Sequence, residues 1–239
     1  MGTEKKTRLD KYVAQALEIP RSASREMIAK GRVTVNGQVC KKADTQLEPG
    51  ADVCAGGRPL HHEAFVYLML NKPEGVVSAA EDKRDTTVVD LVRDAYPRRA
   101  LFPAGRLDKT STGFVLLTDD GAFAHDILAP KRHVSKTYTV VLDTPLTEEM
   151  RTGFADGVTL ADGTALSPAG VTALSADGLT VRVVLRQGVY HQIKRMFGVY
   201  GAGVNGLHRD AIGGLALDAA LAPGQWRELS AEEVSKITI

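Results

Sequence analysis

The residues best suited to chemistry lie in one short loop, residues 105–113, whose single carboxylate is Asp108. Glycines bracket this loop, which also contains two basic residues and three hydroxyls. The apolar segment 114–118 follows and predicts a buried strand. Glycine allows unusual backbone angles, and loops at the ends of rigid strands often carry catalytic groups, so Asp108 is a candidate catalytic residue. The alternative is a surface loop in which Asp108 pairs with Arg106 or Lys109, and spacing alone does not decide between the two.

Composition places the chain among ordinary globular proteins. It has 239 residues, of which 44% are hydrophobic and 25% charged, enough for one large domain or two modest ones. No apolar run is long enough to span a bilayer, and the charged N-terminus lacks the apolar core of a signal peptide. We therefore expect a cytoplasmic protein with no membrane partner. Its only two cysteines, Cys40 and Cys54, form no Cys-x-x-Cys pair and predict neither a zinc site nor a disulfide framework.

Charge is distributed unevenly along the chain. Residues 1–60 contain 11 Lys or Arg and 7 Asp or Glu, a net charge of +4, whereas the whole chain carries only +1. A basic module joined to a mildly acidic body predicts a polyanion-binding domain over residues 1–60 and an enzyme body over residues 61–239. The alternative is a chance imbalance on a solvated face.

The basic module reads as two short helices and a hairpin. Residues 7–18 have helical apolar spacing, and Ser22 is a plausible N-cap for a second helix that runs to Lys30 and stops at Gly31. The dipeptide Asn36-Gly37 between alternating segments predicts a tight hairpin. A linker rich in glycine follows, and its adjacent His61 and His62 lack partners at metal-ligand spacing, so no metal site is expected.

This module resembles the S4 RNA-binding domain through Arg8-Leu9-Asp10, Ser24-Arg25, the segment 31–37 and Lys41-Lys42. The resemblance implies contact with the RNA backbone, because Lys and Arg neutralise phosphates without reading sequence. For the two arginines of the second helix, the alternative is a solvated helix surface. The residues expected to contact RNA here are Arg8, Arg21, Arg25, Lys30, Arg32, Lys41 and Lys42.

The second domain opens with a buried strand over residues 65–70 and mixes strands with helices. Further helices are predicted over 88–95, from a cap at Thr118 or Asp119 to Leu128, over 147–155, around Ile193, Met196, Phe197 and Tyr200, and after Ser230; further strands are predicted over 136–141 and 179–185.

Several segments of this domain resemble the pseudouridine synthases of the RsuA/RluA group. Gly-Arg-Leu-Asp at 105–108, followed by Thr-Gly and by Leu-Leu-Thr-Asp-Asp-Gly, is similar to the segment that carries the catalytic Asp, which implies that role for Asp108. Lys-Thr-Tyr at 136–138 implies that Tyr138 stacks on the target base. His-Gln-Ile-Lys-Arg-Met-Phe at 191–197 implies an ion pair between Lys194 and Asp108, although many relatives carry Arg there, so the pairing is expected to be less rigid.

The resemblance also implies a base pocket and further contacts with RNA. Asn-Lys-Pro-x-Gly at 71–75 is a further similar segment, whose alternative is a simple strand-to-turn junction. On pattern alone Tyr138 is a half-buried strand residue, and His133 an ordinary surface histidine. The implied base pocket consists of Tyr138, Ile193 and Leu207, and the additional RNA contacts are Arg106, Lys131 and Arg132.

The implied fold is α+β: a small S4-like module, then a catalytic domain on a mostly antiparallel mixed β-sheet with flanking helices. The implied reaction isomerises uridine in RNA to pseudouridine, with Asp108 as nucleophile and Lys194 keeping it ionised as water leaves the site. Whether the carboxylate attacks the base or the sugar, or abstracts a proton, stays open. The target base must leave its stack, which costs a few kcal/mol. No organic cofactor and no metal are needed.

The segment 207–214 resembles the small-subunit branch of that group, which implies a single uridine of 16S rRNA, of the uridine 516 type. The expected partner is 16S rRNA or an assembling small ribosomal subunit, and a monomer is expected. One alternative is the same reaction on 23S rRNA. Another is a non-catalytic S4 RNA-binding protein that acts in ribosome assembly. A hydrolase is not supported, since no paired carboxylate or Ser-His-Asp arrangement is found.

Overall fold

The computed structural model describes residues 7–238 apart from residues 18, 49, 61–64 and 130–133. The chain divides into two compact units, residues 1–64 and residues 65–239. The boundary predicted after residue 60 lies four residues before this division.

The first unit packs two helices on short strands. The core lies between them and contains Leu9, Val13, Ile28, Val33 and Val53. Strand β1 pairs with β4, and a four-stranded sheet has the order β3-β2-β5-β6. The elements are β1 (Thr7–Arg8), α1 (Leu9–Ala16), α2 (Arg21–Ala29), β2 (Val33–Val35), β3 (Gln38–Val39), β4 (Gln46–Leu47), β5 (Val53–Ala55) and β6 (Arg58–Pro59).

Local signals in this unit were partly right. Asn36 and Gly37 have φ values of +52° and +78°, so the predicted tight hairpin between β2 and β3 is confirmed. Gly31 ends α2 with φ +72°, also as predicted. The N-cap predicted at Ser22 is wrong: Ser24 N donates to Pro20 O at 3.1 Å, so the helix starts two residues earlier, where proline supplies a suitable φ of −58°.

The second unit is built on one mixed sheet, with the order β11-β12-β10-β13-β9-β7-β15 and with β14 beside β13 and β8 beside β9. Its elements are β7 (Tyr67–Lys72), a 3-10 turn (Asp90–Val92), β8 (Phe102–Pro103), β9 (Thr112–Thr118), α3 (Gly121–Leu128), β10 (Lys136–Leu142), α4 (Glu148–Asp156), β11 (Gly170–Ala173), β12 (Thr180–Leu185), α5 (Gln192–Val199), β13 (Val204–Ile212), β14 (Leu215–Ala216), β15 (Trp226–Glu228) and α6 (Ala231–Ile237). The described strand pairs are antiparallel except β13 with β9, which confirms the predicted α+β class with a mostly antiparallel sheet.

Both faces of this sheet are buried, and β9 shows why its segment reads as a continuous apolar run. Val115 and Leu117 point into a large cluster shared with α4 and α5. Phe114 and Leu116 point to the opposite face, into a second cluster shared with α3 and α6. Successive side chains of a strand face opposite sides, so a strand between two cores needs apolar residues at every position.

Two predictions in this unit are wrong. The helix predicted over residues 88–95 is only the 3-10 turn, because Val88, Val89 and Val92 are all buried and core packing overrides helical spacing. Helix α3 is capped by Asp120, whose Oδ1 accepts from the backbone N of Ala122 at 3.0 Å. The two residues predicted as caps, Thr118 and Asp119, make other hydrogen bonds.

The side chains of Thr118 and Asp119 both accept hydrogen bonds from backbone N–H groups. The Thr118 hydroxyl accepts from Asp120 N at 3.0 Å, and Asp119 accepts from Val66 N at 2.9 Å. The other predicted elements are present, with ends shifted by one to three residues. They include α4 with Thr147 as its N-cap and α6 with a full capping box at Ser230.

A buried carboxylate ties the two helices of the first unit together. Asp10, in the first turn of α1, is fully buried, and its oxygens lie 2.9 Å from Arg21 Nη2 and 2.9 Å from Arg25 Nε of α2. Arg8 Nε lies 3.2 Å away, and the Ser24 hydroxyl donates to the Asp10 carbonyl at 2.8 Å. Burial alone would raise the pKa of Asp10, but hydrogen bonds from the three guanidinium groups outweigh it and hold the pKa far below its usual range.

We expect Asp10→Asn to destabilise the first unit by about 2–4 kcal/mol at pH 7, because charge-assisted bonds to three arginines are lost. A carboxyl whose folded pKa is lowered stabilises fully above its unfolded pKa of about 3.9 and loses that contribution as the pH falls. The difference from wild type should therefore shrink below about pH 4. Amide hydrogen exchange in α1 and α2, at pH 7 and below about pH 4, measures this difference in stability. Glu26→Gln, at an exposed position, is the control and should change the free energy of unfolding by less than about 0.5 kcal/mol. Equal effects of the two variants would contradict the stabilising role of Asp10.

Candidate functional site

The loop that carries Asp108 is fixed on both sides of the carboxylate. Ser111 N donates to the Asp108 carbonyl at 3.0 Å and closes a turn. The Ser78 hydroxyl donates to the Leu107 carbonyl at 2.9 Å and accepts from Leu107 N at 3.0 Å. At Gly113, where φ is +98°, a Cβ would lie 2.5 Å from the carbonyl oxygen of Arg209 on the paired strand β13. Glycine is therefore required there, where the loop enters β9.

Lys72, the last residue of β7, supports the loop from beneath. Its side chain is fully buried, and its Nζ donates to the carbonyls of Ser111 at 2.6 Å, Pro73 at 3.0 Å and Lys109 at 3.3 Å. Burial lowers the pKa of Lys72 to about 8, and the nearby charge of Asp108 opposes that shift. Sequence reasoning gave Lys72 no role. The available signal was a lysine ending an apolar strand, where a buried ammonium needs a full set of acceptors.

The Asp108 carboxylate has two basic neighbours. Lys194 Nζ lies 3.9 Å from Oδ2 and donates to the Thr110 hydroxyl at 3.2 Å. His191 Nε2 lies 3.2 Å from Oδ1. The structure thus brings Lys194 and Asp108 together at a long distance, and it adds a neighbour that sequence reasoning missed. The Asp108 side chain is 28% exposed, so the carboxylate is accessible to a substrate.

His191 has an unusual backbone. It is the N-cap of α5 and adopts the left-handed conformation, with φ +50° and ψ +35°. A histidine held in this region is strained, and such residues cluster at functional sites. Arg195 N donates to its carbonyl at 2.9 Å, and the ring of Tyr190 stacks on its imidazole. The sequence signal was the histidine that begins the segment 191–197, but the pattern alone did not place it beside Asp108.

The predicted base-pocket residues belong to one apolar cluster. Tyr138 and Ile193 are buried, and Leu207 is partly buried against them. Leu107, the neighbour of Asp108, is in the same cluster. Asp108 therefore follows a residue that packs into the core of the second unit, while its basic neighbours His191 and Lys194 stay partly exposed.

Arg209 is a further residue that sequence reasoning missed. It is 2% exposed, lies opposite Gly113 in the β13–β9 pair, and donates from Nε to the Phe114 carbonyl at 2.6 Å. Within the part of the chain that the structure describes, its Nη2 is buried without a hydrogen-bond partner. Arg106, predicted to contact RNA, is exposed beside Asp108. The predicted contacts Lys131 and Arg132, and also His133, lie outside the described residues.

Three of the predicted RNA contacts of the first unit also have a structural role. Arg8, Arg21 and Arg25 form ion pairs with the buried Asp10. Their side chains nevertheless remain 44–54% exposed, so each guanidinium keeps a face toward solvent.

The other four predicted contacts of this unit lie on its surface. Lys30 pairs with Glu26 at 2.5 Å. Arg32, Lys41 and Lys42 are exposed. The unit therefore presents several cations that an RNA backbone could reach.

Neither a metal centre nor a membrane span is found within the described ranges. No group of three or more His, Cys, Asp or Glu side chains there is placed to hold a metal ion. No helix in the same ranges has the length and apolar character to cross a bilayer. Cys40 and Cys54 are free thiols of intermediate exposure, and His61 and His62 fall outside the described ranges.

Comparisons with known proteins follow the same two units. The profile of the RNA pseudouridylate synthase family matches residues 66–198, and that of the S4 domain matches residues 7–53. Ribosomal small subunit pseudouridine synthase A of Escherichia coli (strain K12) is 40% identical over 96% of this chain and 99% of its own. The uncharacterized RNA pseudouridine synthase YtzG of Bacillus subtilis (strain 168) is 40% identical over 95% of this chain and 96% of its own.

A solved structure extends the match to three dimensions. The crystal structure of a pseudouridylate synthase, 37% identical in sequence, superimposes with a TM-score of 0.68 over 96% of this chain and 99% of its own. The range matched by the family profile, residues 66–198, includes the loop of Asp108 and all but the last residue of helix α5. The chain belongs to the RNA pseudouridylate synthases and is an RNA pseudouridine synthase with an S4 domain ahead of its catalytic domain.

Proposed function

We propose that this enzyme converts one uridine of 16S rRNA, of the uridine 516 type, into pseudouridine, with Asp108 as the catalytic nucleophile. The observation that carries the proposal is the Asp108 carboxylate, on a loop held by Lys72 and Ser78, with His191 and Lys194 within 3.9 Å. Support for the 16S target comes from the segment 207–214 and from the relative named for the ribosomal small subunit.

The carboxylate is suited to covalent catalysis. A free aspartate has a pKa near 3.9 and is ionised at neutral pH. Lys194 places a positive charge 3.9 Å from the Asp108 carboxylate, which offsets part of the cost of removing water from that negative charge when RNA closes over the site. The nucleophile divides one hard substitution into two steps. Overall, the N1–C1′ bond breaks, a C5–C1′ bond forms, C5 loses its proton and N1 gains one, so the product has the composition of the substrate and no cofactor is consumed.

Tyr138, Ile193 and Leu207 form the proposed pocket for the target base. Extruding a uridine costs a few kcal/mol, and stacking on an aromatic ring returns about 1–3 kcal/mol. We assign this stacking to Tyr138, with Ile193 and Leu207 lining the rest of the pocket. Tyr138 is 9% exposed, so only a small part of its ring is open to a base before RNA binds.

The S4 unit would hold the rRNA through phosphates. Arg32, Lys41 and Lys42 are exposed, and the arginines around Asp10 keep an open face. Such contacts position the RNA without reading its sequence and weaken as salt rises. We propose that the enzyme acts as a monomer in the cytoplasm, on 16S rRNA or on the assembling small subunit.

We expect Asp108→Asn to lower pseudouridine formation at least about a thousandfold, because the amide cannot act as the nucleophile, while RNA affinity is retained. Pseudouridine is mapped in purified 16S and 23S rRNA and in partly assembled small subunits. Asp94→Asn, at an exposed position, is the control and should behave as wild type.

Three other results would contradict the proposal. Product from wild type only in 23S rRNA would overturn the 16S target but keep the reaction. Full activity of Asp108→Asn would remove its role. No product on any of these RNAs would favour an S4 protein that acts by binding alone.

We expect His191→Asn to lower the single-turnover rate about tenfold, because the carboxylate loses a neighbour 3.2 Å away. Asparagine tolerates the left-handed backbone, so the helix start should be preserved. An unchanged rate constant at saturating enzyme would show that the imidazole does not support Asp108.

We expect Lys72→Met to lower the free energy of unfolding by about 2–4 kcal/mol and the rate at least about tenfold, because two carbonyls of the Asp108 loop and that of Pro73 lose their donor. Thermal unfolding and single-turnover kinetics measure the two effects. Lys83→Met, at an exposed position, is the control. Loss of stability with a normal rate would show that the loop keeps its geometry without the ammonium.

A further inference from the structure

Tyr190 is an exposed aromatic residue that neither the reaction nor the core accounts for. Its side chain is 75% exposed, the largest value among the exposed large hydrophobic residues of the described chain. It precedes α5 by two positions. An isolated aromatic ring in water is free to rotate and loses entropy on binding, so an exposed tyrosine is useful as a contact only when something fixes its orientation.

The ring is fixed by His191. The two ring centroids lie 3.8 Å apart with an interplanar angle of 17°, a parallel stack. One face of Tyr190 is thus covered by the imidazole, and the exposed fraction of the side chain leaves the other face available. The strained backbone at His191, with φ +50°, sets the direction of both rings.

This stack leads directly to the reacting carboxylate. His191 Nε2 lies 3.2 Å from Asp108 Oδ1, so Asp108, His191 and Tyr190 form one continuous row of contacts. Tyr190 is not part of the buried cluster of Tyr138, Ile193 and Leu207 that would receive the target base. A ring at this position is outside the pocket but within one contact of its catalytic residue.

Resting on the proposed function, we propose that Tyr190 is a stacking platform for an unpaired base of the RNA that neighbours the target uridine. Extruding the target removes a stacking partner from each neighbouring base, and an aromatic face beside the pocket replaces it. Stacking suits any base, because each has a π-face, so the platform contributes affinity for a locally single-stranded substrate rather than sequence reading. Lys194, the ion-pair partner of Asp108, adds a positive charge beside that carboxylate, and this charge favours an adjacent phosphate of the RNA.

The test is a double-mutant cycle on a short RNA oligonucleotide that contains the mapped target uridine. Each neighbouring nucleotide is replaced in turn by an abasic one. For wild type and Tyr190→Ala we then measure half-saturation, the enzyme concentration that gives half of the maximal single-turnover rate. We expect Tyr190→Ala to raise half-saturation about 5-fold to 150-fold on intact RNA, from the usual stacking contribution. At one neighbour, the abasic substitution should weaken wild type similarly and should have no further effect in Tyr190→Ala.

Further variants separate stacking from support of His191. Tyr190→Phe should bind as wild type, and Tyr190→Leu should resemble Tyr190→Ala, because an aliphatic side chain offers bulk but no ring face. Leu174→Ala, at a residue 45% exposed in the same unit, is the control. A purely structural role would lower the rate equally on every RNA, giving additive effects at all neighbours; that result, or unchanged half-saturation in Tyr190→Ala, would overturn the proposal.

Binding provides a readout that does not depend on the reaction. 2-Aminopurine is placed in turn at each neighbour of the proposed target uridine, and at one position it should be quenched on binding wild type and Tyr190→Phe but not Tyr190→Ala. If wild type forms no pseudouridine, the proposed function fails while this fluorescence difference still tests the platform. If wild type is active and no quenching difference is seen at any neighbour, the platform fails and the proposed function stands.

Discussion

The loop that carries Asp108 depends on one buried ammonium group, that of Lys72. Lys72 donates to the carbonyls of Pro73, Lys109 and Ser111, so its three N–H groups meet three acceptors. Burying that charge is costly, which is why the pKa of Lys72 falls to about 8, and the negative charge of Asp108 offsets part of the cost. The carboxylate of Asp108 therefore favours the charged form of the group that holds its own loop.

Other residues also hold the loop of Asp108 in place. Ser78 fixes the loop before Asp108, Gly113 lets β9 approach β13 closely after it, and α5 supplies His191 and Lys194 from the other side. These groups come from distant parts of the sequence. Among the strands that the structure describes, β9 and β13 are the one parallel pair, and this pair joins two of these parts because it places Arg209 opposite Gly113. The site is thus a product of sheet topology as much as of the loop itself.

Sequence reasoning succeeded where the signal was local. Asn36-Gly37 predicted its turn because few residue pairs accept two positive φ angles, and Ile193, Met196 and Phe197 predicted the buried face of α5 by their spacing. It failed where a distant partner decides the outcome. Periodicity could not show that three arginines share the carboxylate of Asp10, nor that Lys72 turns toward backbone carbonyls 37 and 39 residues away. The same limit explains the missing helix after residue 88, where core packing of valines decides the conformation.

The alternation along β9 has a consequence for assembly of the protein. Phe114 and Leu116 belong to one core, and Val115 and Leu117 to the other, so a shift of β9 by one residue would exchange their surroundings and displace the loop attached to its start. A correctly oriented Asp108 can therefore exist only in a chain whose two cores have both sorted their side chains. In a refolding experiment, recovery of catalytic activity would report the register of β9, a property that circular dichroism and compactness do not resolve.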